Sequence, residues 1–385
     1  MKKIILFSVL ACTGIFSNAQ DNVQPAVKSD MILSPDFTLL KNNAATPVKN
    51  QQSTGTCWAF STTSLLESQL LKNNLGTFNL SEMFTVRNIY IEKAKNYVLR
   101  QGHAQFGEGG LGHDVIRAIA NYGAMPDEAY SGLTAGQTKL DHQKMSKDLQ
   151  EYLDGILKTN GKPLADDWLA GYKKILDDNM GVAPENFTYN GKTYTAMSFA
   201  KEVMHFDPND YVNLTSFTSQ PYYQSFIVQV PDNFSNGAYY NLPLNEFIEA
   251  VKSALNSGYS LMWDADVSNN GFRQGKGLAL YFDPASKIKN DSLTADMPEA
   301  QWNADIRQKL YEELVTQDDH LMHITGIEKS KGGKTFFLVK NSWGNAGPFG
   351  GYINVSESYF AINTISLVVP KASLSKALLE KLKIK

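Results

Sequence analysis

The chain has 385 residues, 36 basic against 39 acidic side chains, a formal net charge of −3 and 43% apolar residues. No basic tract stands out, which disfavours nucleic acid as the main partner, because phosphate binding needs clustered Lys and Arg. The apolar content disfavours a disordered chain, and the length suffices for one large domain or two lobes with substantial cores.

Met1 Lys2 Lys3, the apolar run Ile4 to Phe16 and then Ser17 Asn18 Ala19 have the basic start, apolar middle and small-residue exit of a secretory signal. Residues 1–19 are therefore expected to be removed after Ala19, leaving an exported protein, periplasmic or extracellular. A lipoprotein alternative, with Val9 Leu10 Ala11 before Cys12, leaves an apolar stretch of only Ile4 to Ala11 and is the weaker reading. No later segment is long and apolar enough to span a bilayer.

A polar arm, Gln20 to Asn43, leads to a loop, Ala44 to Thr54. A helix is expected from Cys57 to Asn73, with Ser53, Thr54 and Thr56 available as caps. Leu80 to Leu99 and His113 to Tyr122 also read as helices, separated by the glycine-rich run Gly107 to Gly112. Leu140 to Met180 is helical and charged, most simply a solvated insertion, with an oligomer contact as the alternative.

From about Phe187 the composition turns to short runs that suit strands, such as Phe226 to Val230, with a helix from Leu244 to Ser257. Ser260 to Asp266, His323 to Glu328, Phe336 to Lys340 and Gly351 to Val355 are further expected strands. The result is an α+β chain of two lobes: a mainly helical one over about 50–185, and a mainly β one over about 186–385 together with the N-terminal arm.

Cys57 is the only cysteine beyond the signal segment, so no internal disulfide is available to the exported chain. A thiol attacks a carbonyl as thiolate. A helix N-terminus and a neighbouring imidazolium are the two devices that make this form accessible. Cys57 opens a helix. His323, at the entry of an apolar strand, is the expected imidazole, and Asn341, 18 positions later at the end of the next strand, is its expected orienting partner. Gln51 and the Cys57 backbone N–H are candidate oxyanion donors, and Trp343 could cover the histidine–asparagine contact.

Pro47 Val48 Lys49 Asn50 Gln51, Gly55 Thr56 Cys57 Trp58 Ala59 Phe60, His323, Lys340 Asn341 Ser342 Trp343 Gly344 and Gly350 Gly351 Tyr352 Ile353 together resemble the papain superfamily of cysteine peptidases, in family order. The resemblance implies a papain-like two-lobe fold, a helical lobe carrying the nucleophile helix and a β-barrel-like lobe. It implies Cys57 as nucleophile, His323 as general base and acid, Asn341 as orienter and Gln51 in the oxyanion hole. It also implies Gly109 and Gly110 as the glycine pair lining the substrate cleft.

The 266-residue separation of Cys57 from His323 exceeds the papain-type spacing of about 130–150. Together with Thr54 where a disulfide cysteine is usual, and with Leu261 to Val267, it is similar to the bleomycin hydrolase and aminopeptidase C branch. That branch implies peptide substrates, aminopeptidase activity, a homo-oligomer and a C-terminal tail lying in the cleft. Here the chain ends on the helix-like run Leu378 to Lys385. An open-cleft endopeptidase is thus the alternative within the class, and a catalytically silent peptide-binding scaffold the alternative outside it.

Three other patterns have simpler explanations. His320 and His323, with Asp318 and Asp319 beside them, have a spacing that could hold a metal on a helix, but the run reads as strand, so neither metal nor cofactor is expected. Gly107, Gly109 and Gly112 match a dinucleotide-type pattern without the preceding apolar strand. Gly332 Gly333 Lys334 Thr335 looks like a hairpin turn rather than a P-loop.

Overall fold

Trp58, Leu65 and Leu66 are spaced to meet on one side of a helix, and the fold buries that helix almost all round. The computed structural model describes residues 31–158, 162–286 and 293–385. The expected signal segment, with Ala19 and Cys12, lies outside them.

In chain order the main elements begin with strand β1 (Phe37–Asn42) and helices α1 (Cys57–Lys72), α2 (Glu82–Leu99), α3 (Gly112–Tyr122), α4 (Gln143–Leu157) and α5 (Trp168–Met180). The hairpin β2 (Phe187–Tyr189) and β3 (Lys192–Tyr194) and helix α6 (Ala196–Glu202) follow. Next come β4 (Tyr211–Thr215), β5 (Ser225–Ile227), β6 (Ala238–Asn241), α7 (Leu244–Asn256), β7 (Leu261–Ala265), β8 (Phe272–Arg273) and β9 (Leu278–Ala279). The chain continues through α8 (Ala304–Glu312), β10 (His320–Ser330), β11 (Thr335–Lys340), β12 (Tyr352–Ser356), α9 (Glu357–Asn363), β13 (Thr364–Pro370) and α10 (Lys376–Leu382).

One sheet runs β5-β6-β4-β13-β7-β10-β11-β12-β9-β8, with β1 also paired to β10. Among the described residues this path is open at β5 and β8 rather than closed into a barrel. Its centre separates two cores. On β7, Met262 packs into the helical core and Trp263 into the other; β10 repeats this with Leu321 and Met322, and β13 with Val368 and Leu367. Successive strand side chains point to opposite faces, so each central strand feeds both cores. Helix α1 is packed by α2 and α3 on one side and by this sheet on the other, which leaves Cys57 at the seam between lobes.

The expected elements recur with small shifts, except that Leu140 to Met180 splits into α4 and α5. The split follows from packing: Met145, Leu149 and Leu153 of α4 and Tyr172, Leu176 and Met180 of α5 are buried in the helical core. The segment is therefore more than a solvated insertion.

Glu328 of β10 is 3% exposed, its Oε1 has no hydrogen-bond partner, and burial pushes its carboxyl up to about 8. A carboxyl whose folded pKa exceeds its unfolded value of about 4.3 stabilises most below that value and loses the contribution as pH rises through the folded pKa. Unfolding free energy should thus fall by roughly 2–4 kcal/mol between pH 4.5 and 8.5 on account of this residue. Glu328→Gln should flatten that slope in urea melts at several pH values; an unchanged slope would show that the group is not responsible.

Candidate active site

The loop before α1 is tied at several points. Thr54 Oγ1 donates to Gln51 O at 2.8 Å and lies 2.6 Å from Thr56 Oγ1, so hydroxyls bind the turn at the position where the resemblance places a disulfide. Thr56 is the N-cap residue, but its side chain accepts no bond from the helix. The positive end of α1 is thus left to Cys57 instead of being satisfied by a side-chain cap. Gly55 N donates to Glu108 Oε2 at 2.6 Å and Trp58 Nε1 to Glu108 O at 3.0 Å, which anchors the nucleophile turn to the glycine-rich run.

Cys57 is 8% exposed and its sulfur faces the Leu321 backbone N–H on β10. Burial, reinforced by the charges of Asp318, Asp232 and Asp264 and opposed by that N–H, pushes the thiol up to about 12. A free thiolate is therefore scarce at neutral pH. Attack requires the proton to pass to a base as the anion forms, so that net charge in the site does not change.

The imidazole that meets Asn341 is not the one the sequence pointed to. His320 Nε2 and Asn341 Oδ1 are 2.7 Å apart, and the Trp343 ring stacks on the His320 ring at 4.6 Å between centroids. Ser342 N donates to the same Asn341 oxygen at 2.7 Å, while Asn341 Nδ2 donates to Gln274 Oε1 at 3.0 Å. A backbone N–H can only donate, so the atom facing His320 must be the amide oxygen. That places the His320 proton on Nε2 and leaves Nδ1 as the acceptor. Burial lowers the His320 pKa, opposed by the Asn341 hydrogen bond and Asp319.

His323 belongs to a different network. Lys340 Nζ donates to Ser64 Oγ at 2.7 Å, and that hydroxyl lies 2.8 Å from His323 Nδ1. Burial, helped by the Lys340 charge, holds His323 well below the usual imidazole range. The physical reason for the correction is strand periodicity: residues three apart on β10 lie on opposite faces, so only one can meet Asn341. His323 is paired with Lys340 in the ladder, and Asn341 lies one step further towards the strand start, where His320 stands. The same opposition keeps the two rings from converging on a common ion.

The remaining expected residues take definite places. Gln51 Nε2 donates to Thr54 O at 2.7 Å and its Oε1 accepts from Ser342 Oγ at 2.6 Å, so one amide hydrogen remains for another acceptor. Gly110 lies against the Trp58 ring, and Gly109 lies beneath the Asp232 carboxylate, where any side chain would collide. Lys93 Nζ holds the run by donating to Gly107 O at 2.7 Å and to Gly109 O. Gln274 reaches the site through a tertiary contact without a local signal, whereas Ser342 stands in the Asn341–Gly344 motif, which gives no hint of its role towards Gln51. The metal-spacing pattern did flag His320, though for another chemistry.

The sequence model of the Peptidase C1-like family matches residues 103–385, and that of the papain family cysteine proteases matches residues 34–153. The chain belongs to the Peptidase C1-like family. It is a cysteine-type peptidase with a papain-like α+β fold. It is 24% identical over 404 residues to "Aminopeptidase C" of Streptococcus thermophilus, covering 91% of this chain and 85% of that protein. It is 26% identical over 379 residues to "Aminopeptidase C" of Listeria monocytogenes, covering 88% and 83%. Among solved structures it resembles pepw of Lactobacillus rhamnosis with a TM-score of 0.70 at 20% identity, covering 91% of this chain and 85% of that one, a likeness of fold. In this peptidase α10 packs on the second core, where Lys381 Nζ meets Glu246 of α7 at 2.9 Å, whereas Cys57 lies in the first. No helix among the described residues is long and apolar enough to cross a membrane.

Proposed function

We propose that the protein is an exported cysteine aminopeptidase that removes residues from the free amino terminus of peptides through an acyl-enzyme at Cys57. The observation that carries the catalytic part is the 2.7 Å contact of His320 Nε2 with Asn341 Oδ1, one residue from the Leu321 N–H that faces the Cys57 sulfur. In this reading Nδ1 of His320 takes the thiol proton as sulfur bonds to the carbonyl carbon, and then returns it to the leaving amine. Asn341 and Trp343 hold the ring, while the Cys57 N–H and the remaining Gln51 amide hydrogen receive the oxyanion. Water then attacks the thioester, His320 accepting its proton, and the thiol is regenerated.

The aminopeptidase part is supported by the Aminopeptidase C relatives and by the Asp232 segment standing over Gly109 at one end of the cleft. Export is supported by the basic, apolar and small-residue succession of residues 1–19. The purified protein should hydrolyse L-alanyl-p-nitroanilide at least tenfold faster than its N-acetylated form. Cys57→Ala should abolish turnover, and iodoacetamide should do so stoichiometrically. Turnover that survives both treatments would remove the thiol from the mechanism, and faster cleavage of the blocked substrate would replace an exopeptidase by an endopeptidase.

A further inference from the structure

The end of the cleft beyond Gly109 gathers three carboxyl groups, Asp232, Asp264 and Asp318, whose ionised forms burial disfavours. Asp264 of β7 is 0% exposed and lies across the ladder from Leu321, the residue whose N–H faces the nucleophile. Its Oδ2 accepts from Ser366 Oγ at 3.0 Å, but its Oδ1 has no hydrogen-bond partner. Asp318, two residues before His320, presents two buried oxygens without a well-formed hydrogen bond, set against the Asp264 carboxyl and the Asp232 backbone N–H, and burial pushes its carboxyl up to about 7. Asp232 reaches over Gly109 from the segment between β5 and β6 and accepts from Gln105 Nε2 at 3.3 Å.

The basic group facing these carboxylates is Lys93, whose Nζ is committed to the carbonyls of Gly107 and Gly109. Asp114 is matched by Arg117 at 2.9 Å, and Asp319 accepts from Ser268 Oγ at 2.6 Å and Val267 N at 3.1 Å, so both neighbours have partners of their own. Buried carboxylates without donors are costly, and the cost is recovered when a cation with several N–H groups enters.

We propose that Asp232, Asp264 and Asp318 form the closed end of the substrate cleft and hold the free α-ammonium group of the peptide. An α-ammonium offers three donors, and the oxygens without a well-formed hydrogen bond are Asp264 Oδ1 with Asp318 Oδ1 and Oδ2. The wall is built from one side chain of the sheet and one from each of two loops. It therefore confines the enzyme to amino-terminal residues while α10 stays on the second core. The same three carboxylates oppose ionisation of Cys57, so an ammonium between them also favours the thiolate. This assignment rests on the peptidase reading above.

Two measurements separate them. L-alaninamide should protect Cys57 from iodoacetamide at concentrations where N-acetyl-L-alaninamide does not, and Asp264→Asn and Asp318→Asn should each raise the half-protecting concentration at least tenfold. In the same variants kcat/KM for L-alanyl-p-nitroanilide should fall at least tenfold, with iodoacetamide alone reacting no slower than in the unaltered protein. Asp232→Asn gives the same comparison if the substitutions at Asp264 and Asp318 prevent folding. Equal protection by both amides, or variants that keep the preference for the free amine, would overturn the assignment. So would an unaltered enzyme that prefers N-acetyl-Lys-Ala-p-nitroanilide, which would place a lysine side chain at the wall. Amine protection without any turnover would instead refute the peptidase reading and retain the anchor.

Discussion

His320→Ala should lower kcat/KM by about 10⁴-fold or more, the scale seen when a member of a nucleophile–base unit is removed, while His323→Ala should stay within about tenfold of the unaltered enzyme. The two rings are three residues apart on β10, and the family resemblance pointed to His323. Only His320 has its Nε2 fixed by an asparagine and its face covered by Trp343, whereas the His323 Nδ1 is taken up by Ser64 and Lys340. His323→Ala should therefore show its effect in stability, since it removes the acceptor beside the Ser64 hydroxyl. As His320 must be neutral to take the thiol proton, activity should fall as pH drops through its pKa, with the acid limb below 6.5. Steady-state kinetics of both variants and heat denaturation of each decide the matter. A catalytic collapse in His323→Ala with an active His320→Ala would reverse the assignment.

Arg307→Ala should cost about 3–5 kcal/mol of stability and lower the melting midpoint by roughly 10 °C, the largest effect expected of a residue outside the catalytic set. Arg307 is 1% exposed in α8; its Nε donates to Ser216 O at 2.6 Å and its Nη1 to Ala361 O at 3.0 Å and Ile362 O at 3.3 Å. The guanidinium also lies 4.9 Å from the Phe217 ring centroid, and burial pulls its pKa down to about 9. It thereby joins three separate segments, the end of β4, α8 and α9, through carbonyls that would otherwise be buried without donors. Arg307→Met separates the contributions, because it keeps much of the volume and loses every hydrogen bond. A methionine variant within about 1 kcal/mol of the unaltered protein in urea melts would assign the effect of alanine to the cavity instead.

The weak points of the sequence reading share a cause. β1 has the sequence of a polar arm, since its side chains alternate between half-buried and exposed on a strand that depends on β10 for its hydrogen bonds. β13 is not legible in the sequence although all its residues are buried, because an apolar run directly after a helix carries no turn signal to mark its start. Leu140 to Met180 looked solvated because charged residues surround the few that anchor it.

The sequence by itself determined the two-lobe α+β order, the helix opened by Cys57, the partnership of Asn341 and Trp343, and membership of the thiol peptidases. These rest on residue types at local spacings, which helix and strand periodicity convert into faces. Tertiary structure alone decided which histidine meets Asn341, that Gln274 and Ser342 hold the site amides, and that three aspartates distant in sequence converge beside the nucleophile. Those outcomes depend on ladder register, and a single-residue step in register sends a side chain to the opposite face of the sheet.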